Sequence, residues 1–245
     1  MNDTMDLLKR HVSIRKYKDT EIANEDLHEL IDAAQHAASS NFVQAYSIVR
    51  VTDAEKREAL AELSRNEQQI MSAPVVLLFC VDFKRLEYAL KKNGEELDMT
   101  GLENFLVGTT DTSLFAQNFA VAAESKGYGI CYIGGVRNNP EQISELVSLP
   151  DHVFPLFGMT IGVPDETQYV KPRLPVEAIL HENEYDEEKY PSIIEKYDED
   201  MAEYYQSRLT NRRVGTWSET MAKMLKAPRR LHMREFVLSK GFSLD

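Results

Sequence analysis

The segment from Leu102 to Lys126 constrains this chain most, because its apolar residues do not keep to one stripe. Leu106, Leu114, Phe115, Phe119, Ala120 and Ala123 surround nearly the whole circumference of a long predicted helix. A helix that is apolar all round belongs inside a protein, and Gly127 supplies its stop. Such a helix needs layers to cover it. Pro74 to Phe83 (PVVLLFCVDF) reads as a central strand buried on both faces. Further strands are predicted over Tyr46–Thr52, Gly129–Gly134 and Val153–Val163. Asp6–Arg10 is a short helical start. Asn24 is placed to cap an amphipathic helix carrying Leu27, Leu30, Ile31, Ala34 and Ala38. Ala54–Ser64 is another helix, and Asn139-Pro140-Glu141-Gln142 opens one more. The mixture is α+β. Residues 1–164 read as a core. Residues 165–245 read as a C-terminal extension of the same domain, extended and Pro-punctuated at first, then helical from about Glu187 to Arg208 and again near the end. An arm without a core of its own packs on a partner, and a dimer is the simplest such arrangement.

Composition narrows the class. The chain has 245 residues, 43% hydrophobic and 28% charged, which is ordinary for a globular protein. Its longest strongly apolar run, Ala73–Val81, falls well short of the roughly 18 residues of a membrane span. The start, MNDTMDLLKR, lacks the apolar core of a secretion signal. Two cysteines, Cys80 and Cys131, do not make a disulfide framework. The expectation is a cytoplasmic protein. A net charge of −12 argues against general nucleic-acid binding. The charge is uneven, however: from Arg208 to Arg234 the only acid is Glu219. That basic segment fits either a solvated helical face or an anion-reading element.

The familiar catalytic devices are missing. There is no G-x-G-x-x-G dinucleotide turn, no phosphate loop, no zinc-spaced His/Cys cluster and no nucleophile elbow. What remains are short polar clusters. In His11-Val12-Ser13-Ile14-Arg15, alternate residues of an extended segment share one side, so His11, Ser13 and Arg15 converge. A ring N–H, a hydroxyl and a planar cationic fork suit an anion; the same residues also fit a basic loop that ends the first helix. Lys171 and Arg173 alternate in the stiff segment KPRLP, which read alone is equally a charged spacer. Ser39-Ser40-Asn41 reads as a turn. Gly134-Gly135 after Ile133 permits close approach of backbone to a flat ligand, and a simple turn would need the glycines equally.

Taken together and in order, these elements resemble the nitroreductase superfamily, in particular its branch of NADPH-dependent nitro/flavin reductases with a longer C-terminal arm. The resemblance runs through HVSIRKY (11–17), SSNFVQ (39–44), LLFCVDF (77–83), YIGGVRNNP (132–140), KPRLP (171–175) and TNRRVGTWS (210–218). It implies a central, mostly antiparallel sheet flanked by helices, with the C-terminal arm wrapping the partner of a homodimer. It implies FMN as cofactor and NADPH as electron donor. By the same resemblance, His11 and Ser13 hold the phosphate or ribityl chain and Arg15 reaches the pyrimidine edge of the flavin ring. Lys171 and Arg173 complete the phosphate site, and Ile133, Gly134 and Gly135 lie against the ring. Ser39, Ser40 and Phe42 come from the facing subunit. Glu67 occupies a position where the family often has Gln, so Gln68 is a second candidate for that contact. Val12 stands where the family often has Arg. Arg208, Arg212 and Arg213 match the residues that read the 2′-phosphate of NADPH.

No side chain is needed as a dedicated acid or base, and no metal is implied; the flavin carries the chemistry, with the acceptor reduced in a second half-reaction. Nitroaromatics, quinones and free flavin are the expected acceptors. The rival readings are a same-fold reductase of a disulfide or another metabolite, and a non-enzymatic flavin carrier or redox sensor.

Overall fold

The computed structural model describes residues 3–207 and 214–245. Two compact units are formed: Met1–Gln168 with Arg230–Asp245, and Tyr169–Arg229.

In chain order the first unit contains α1 (Asp3–Lys9), α2 (Asn24–Gln35), β1 (Tyr46–Arg50), α3 (Ala54–Ser64), α4 (Glu67–Ser72), β2 (Val75–Asp82), α5 (Lys84–Lys92), α6 (Glu103–Ser125), β3 (Gly129–Ile133), α7 (Pro140–Leu146) and β4 (Val153–Gly162). The second unit contributes α8 (Tyr190–Ser207) and α9 (Trp217–Leu225), and α10 (Met233–Ser239) returns to the first. The sheet order is β1-β2-β4-β3, and every pairing is antiparallel.

The reading of β2 as a doubly buried strand is met residue by residue, since all of Val75–Asp82 is buried. Val75, Leu77 and Phe79 pack with Leu30, Phe115 and Phe119 of α2 and α6. Val76, Leu78 and Cys80 pack with Leu60, Ile70 and Ile143 of α3, α4 and α7. The period of two thus feeds two separate layers, and each such large side chain contributes on the order of 2 kcal/mol by leaving water.

Helix α6 departs from expectation on one side. Phe115, Ala116, Phe119, Ala120 and Ala123 are buried, but Leu106 and Leu114 are 48% and 42% exposed. The sheet and α2 pack against the buried face of α6, and among the described residues Leu106 and Leu114 lie outside that packing. Asn24 does not cap α2. Ala23 holds that position, and the Asn24 amide oxygen accepts instead from Arg50 Nη1 at 2.6 Å. Asn139 precedes Pro140 as expected, yet its amide donates to the Leu63 carbonyl at 2.6 Å rather than capping α7. Two helices went unforeseen: α4, which begins at Glu67, and α5, Lys84–Lys92, in a stretch expected to be loop.

The chain's last residues belong to the first unit, where Phe236, Val237 and Phe242 pack with Phe83 and Phe154. In the second unit Tyr197, Met201 and Tyr205 form a small cluster with Leu174 and Trp217. A capping box between Thr216 and Glu219 starts α9 there.

Candidate functional site

The segment 11–17 runs along the outer edge of β3. Ser13 pairs with Ile130 in a parallel bridge, and Ile14 N–H donates to the Ile130 carbonyl at 2.9 Å. Ile14 is buried and Val12 packs on the same cluster, so His11, Ser13 and Arg15 occupy the other side of the extended backbone. Two anchors hold this segment straight. The Glu166 carboxylate accepts from the backbone N–H of Arg15 at 2.5 Å and of Lys16 at 3.2 Å. The Tyr17 hydroxyl donates to the Ile14 carbonyl at 2.6 Å, and burial pushes its phenol well above the usual range, so it remains a neutral donor. The Arg15 guanidinium is exposed, and its Nη1 donates to the Ser13 carbonyl at 3.4 Å.

His11 is fixed by a residue that spacing did not reveal. Its Nδ1 lies 2.5 Å from Glu124 Oε1, and the Glu124 side chain is only 14% exposed. A carboxylate on Nδ1 holds the proton there and orients the ring, leaving Nε2 for another partner.

At the far end of β3, buried Ile133 leads into a tight 3-10 turn at Gly134–Asn138. The turn lies about 10 Å along the strand from Ile130. The end of α3 meets it. The Ser64 carbonyl accepts from the side-chain amides of Asn66 at 2.6 Å and Asn138 at 3.2 Å, which satisfies a carbonyl that a helix end leaves open. A Cβ on Gly135 would lie 2.1 Å from that same oxygen, so the glycine accommodates protein backbone. Gly134 is the freer of the two: its nearest neighbour would be an Arg137 nitrogen at 3.3 Å. Glu67 and Gln68 follow Asn66 on α4, both exposed, so the fold brings them beside the 133–135 turn.

Ser39, Ser40 and Phe42 are not brought to this place. Their loop enters β1, the opposite edge of the sheet from β3. The loop is far from a plain turn. Asn41, Phe42 and Gln44 have φ of 46°, 61° and 53°, each a left-handed conformation that costs a non-glycine residue about 1–2 kcal/mol. Phe42 is 80% exposed. A second unforeseen acid, the fully buried Asp111 of α6, holds the loop together through hydrogen bonds to Ser39, Ser40 and Ala45. From Asp111 to Glu124 the helix rises about 20 Å, so in one chain the 39–42 loop and His11 lie far apart.

In the second unit Lys171 and Arg173 are exposed and alternate along their strand-like segment, as expected. Lys171 Nζ sits 5.7 Å above the Tyr205 ring, and Arg173 Nη1 donates to the Lys171 carbonyl at 2.7 Å. Arg208, Arg212 and Arg213 lie outside the described residues.

Residues 8–163 match the model of the nitroreductase family, and residues 171–245 match that of the nitroreductase family's C-terminal domain. The chain belongs to the nitroreductase family. Among family relatives it is 54% identical to a Cr(VI) reductase of Pseudomonas sp. (strain G-1), over 97% of this chain and 98% of that protein. It is 37% identical to an FMN reductase (NADPH) of Bacillus subtilis (strain 168), over 99% of both. The solved structure of B. megaterium NfrA2 superimposes with a TM-score of 0.96 at 38% identity, covering 100% of both chains. The fold is therefore the nitroreductase fold, and the chain is an oxidoreductase of that family.

The donor set at β3 fits the flavin mononucleotide this family membership implies. A ring nitrogen, a hydroxyl and a guanidinium share one side of an anchored segment, and a peptide turn with little side-chain bulk follows about 10 Å away. Those are needs of an elongated ligand with an anionic end and a flat ring. Asp111 and Glu124 stand within the apolar stretch of α6, and an acid among apolar neighbours is itself the signal that would have found them.

Proposed function

We propose that the chain is an NADPH-dependent FMN oxidoreductase working as a homodimer in the cytoplasm. The observation that carries this reading is the anchored row His11, Ser13 and Arg15 beside β3, the strand that leads into Gly134. When bound, FMN would supply the redox chemistry, two-electron transfer from NADPH to a second substrate.

The chain's own residues bind and orient. His11, held by Glu124, and Ser13 offer donors to the phosphate or ribityl chain, and Lys171 and Arg173 add positive charge to the phosphate site. Arg15 places a fixed cation at the ring's pyrimidine edge, where negative charge develops on reduction. Ile133, Gly134 and Gly135, with Glu67 or Gln68, line the ring. Arg208, Arg212 and Arg213 read the 2′-phosphate of NADPH, which favours NADPH over NADH. No side chain is assigned a proton-transfer role.

The dimer reading rests on exposed apolar surface. Leu106 and Leu114 of α6 are exposed, as are Leu102 just before it, Leu8 of α1 and Phe42; exposed apolar surface of this kind marks an interaction face. A facing copy would bring its Ser39, Ser40 and Phe42 to this chain's flavin, which the distance along α6 denies to the chain's own loop. Residues 1–164 form the FMN-binding core in this reading, and 165–245 the extension that carries the partner-wrapping arm, its last residues, 230–245, packing back on the core. Acceptors include nitroaromatics, quinones and free flavin, with chromate added by the Pseudomonas relative's name.

The test is an anaerobic titration of protein reconstituted with FMN, followed at the oxidised flavin's visible band. FMN uptake and faster bleaching by NADPH than NADH are expected. Uptake without reduction by either nucleotide hands the protein to the flavin-carrier or redox-sensor reading, and no uptake removes the assignment.

A further inference from the structure

We propose that Asp111 is a positioning residue: from the middle of α6 it fixes the left-handed 39–45 loop in the shape that delivers Ser40 and Phe42 to the flavin of the partner copy. The proposal rests on the functional reading above and adds to it a residue that the binding contacts alone do not include.

Asp111 is fully buried, and its carboxylate is spent on the loop. Oδ2 accepts from Ser39 Oγ at 2.7 Å and from the Ala45 N–H at 3.2 Å. Oδ1 accepts from the Ser40 N–H at 3.0 Å. Ser39 Oγ in turn accepts from the Gln44 N–H at 2.7 Å, so a relay closes the loop upon itself. Between these tethers lie Asn41, Phe42 and Gln44, all at positive φ. Three non-glycine residues in that region within one short loop persist only when the surroundings over-determine them. The tethers grip both ends, at Ser39–Ser40 and at Gln44–Ala45, and leave Phe42 projecting at 80% exposure. A loop meant only to join α2 to β1 has no need of a buried acid, of strain, or of a projecting aromatic ring.

The chemistry requires a carboxylate. Three donors converge on it, and a carboxylate offers acceptor sites on both oxygens, whereas the amide of an isosteric asparagine must turn two N–H donors toward one group of donors. Asp111→Asn therefore keeps the volume and removes the capacity to hold the loop. The expected result is an FMN dissociation constant raised at least about tenfold, the size of effect that an unsatisfied buried donor produces, with the far-UV spectrum of the apoprotein unchanged.

A mixed dimer separates positioning from general damage. One copy carries Asp111→Asn and the other Arg15→Ala, with different tags for purification, and FMN content is read by flavin absorbance. If each loop serves the partner's flavin, one site receives both lesions and the other receives neither. The mixed dimer then regains about half the wild-type FMN content while both mutant homodimers bind poorly. A merely structural role for Asp111, or a loop that serves its own chain, yields no regain and overturns the proposal. Should Asp111→Asn not fold, Ser39→Ala takes its place in the same mixed dimer: it removes the bond from Ser39 to Asp111 and the relay to Gln44, and the same regain is expected. Undiminished FMN binding by Asp111→Asn overturns this proposal alone; a wild-type protein that takes up no FMN overturns it together with the functional reading.

Discussion

Gly135 and Ser64 meet so closely that a single added carbon would collide: a Cβ on Gly135 would stand 2.1 Å from the Ser64 carbonyl oxygen. The paired glycines in the sequence suggested room for a ligand. One of the two instead makes room for the end of α3, and in doing so aligns the turn that follows β3.

Gly135→Ala is therefore expected to destabilise the fold by about 1–3 kcal/mol, the usual cost of overpacking, because backbone must move. Gly127→Ala is a useful contrast. That glycine has open space and a φ of 85°, so its substitution carries only the left-handed penalty of about 1–2 kcal/mol. Urea unfolding of both variants reads the stabilities. FMN affinity should fall for Gly135→Ala and hold for Gly127→Ala.

Glu124 predicts a separation of binding from stability. With the carboxylate 2.5 Å from His11 Nδ1, Glu124→Gln leaves the ring without its charged anchor. FMN affinity is expected to drop several-fold, whereas unfolding free energy should change by no more than about 1 kcal/mol, as for a partly exposed ion pair. Fluorescence titration with FMN and urea melts on the same samples check this, and equal affinity in the two proteins would remove Glu124 from the site.

Acid should weaken the fold through Glu87. Hydrogen bonds from Lys84 at 2.6 Å and Lys91 at 2.5 Å hold its carboxyl down to about 2, below the ordinary 4.5. A depressed folded-state pKa means that the stabilisation is present above the ordinary value and is lost as pH falls from about 4.5 through 2. The urea midpoint of the wild type should decline more steeply across that window than that of Glu87→Gln; parallel curves would contradict the assignment.

Neither cysteine should react in the native state. Both are free and buried, and burial pushes the Cys80 thiol up to about 12 and raises Cys131 as well. A thiol-specific chromogenic reagent at pH 8 is expected to label none of them within minutes in buffer, and both in denaturant. Native labelling would show that β2 or β3 opens far more readily than this packing allows.

Much of the fold could be read in advance, because hydrophobic period is a local property. The alternation in PVVLLFCVDF, the apolar density of α6 and the glycine after it, and the Asn-Pro start of α7 each follow from a few neighbouring residues. The elements that escaped notice show that signature only briefly. In α5, Lys84–Lys92, Leu86, Ala89 and Leu90 keep helical spacing, but the element is short and no residue of it is buried. The short α4 was hidden by its proximity to β2. Leu106 and Leu114 looked like core because sequence reports apolarity without saying which face of a helix the rest of the fold covers.

The sequence by itself determined the layers: which strand is central, which helix is buried and where the donor-bearing residues His11, Ser13 and Arg15 must alternate. It could do so because a strand's period of two and a helix's period of 3.6 are written in adjacent residues. Only the tertiary structure decided who holds those residues. Glu124 reaches His11 across 113 positions of chain and Asp111 reaches Ser39 across 72. It also gave Gly135 to Ser64 and set the 39–42 loop about 20 Å along α6 from His11. Contacts between residues so distant in sequence leave no periodic trace, because they arise from where the sheet places the ends of its strands and from which buried polar groups must find one another.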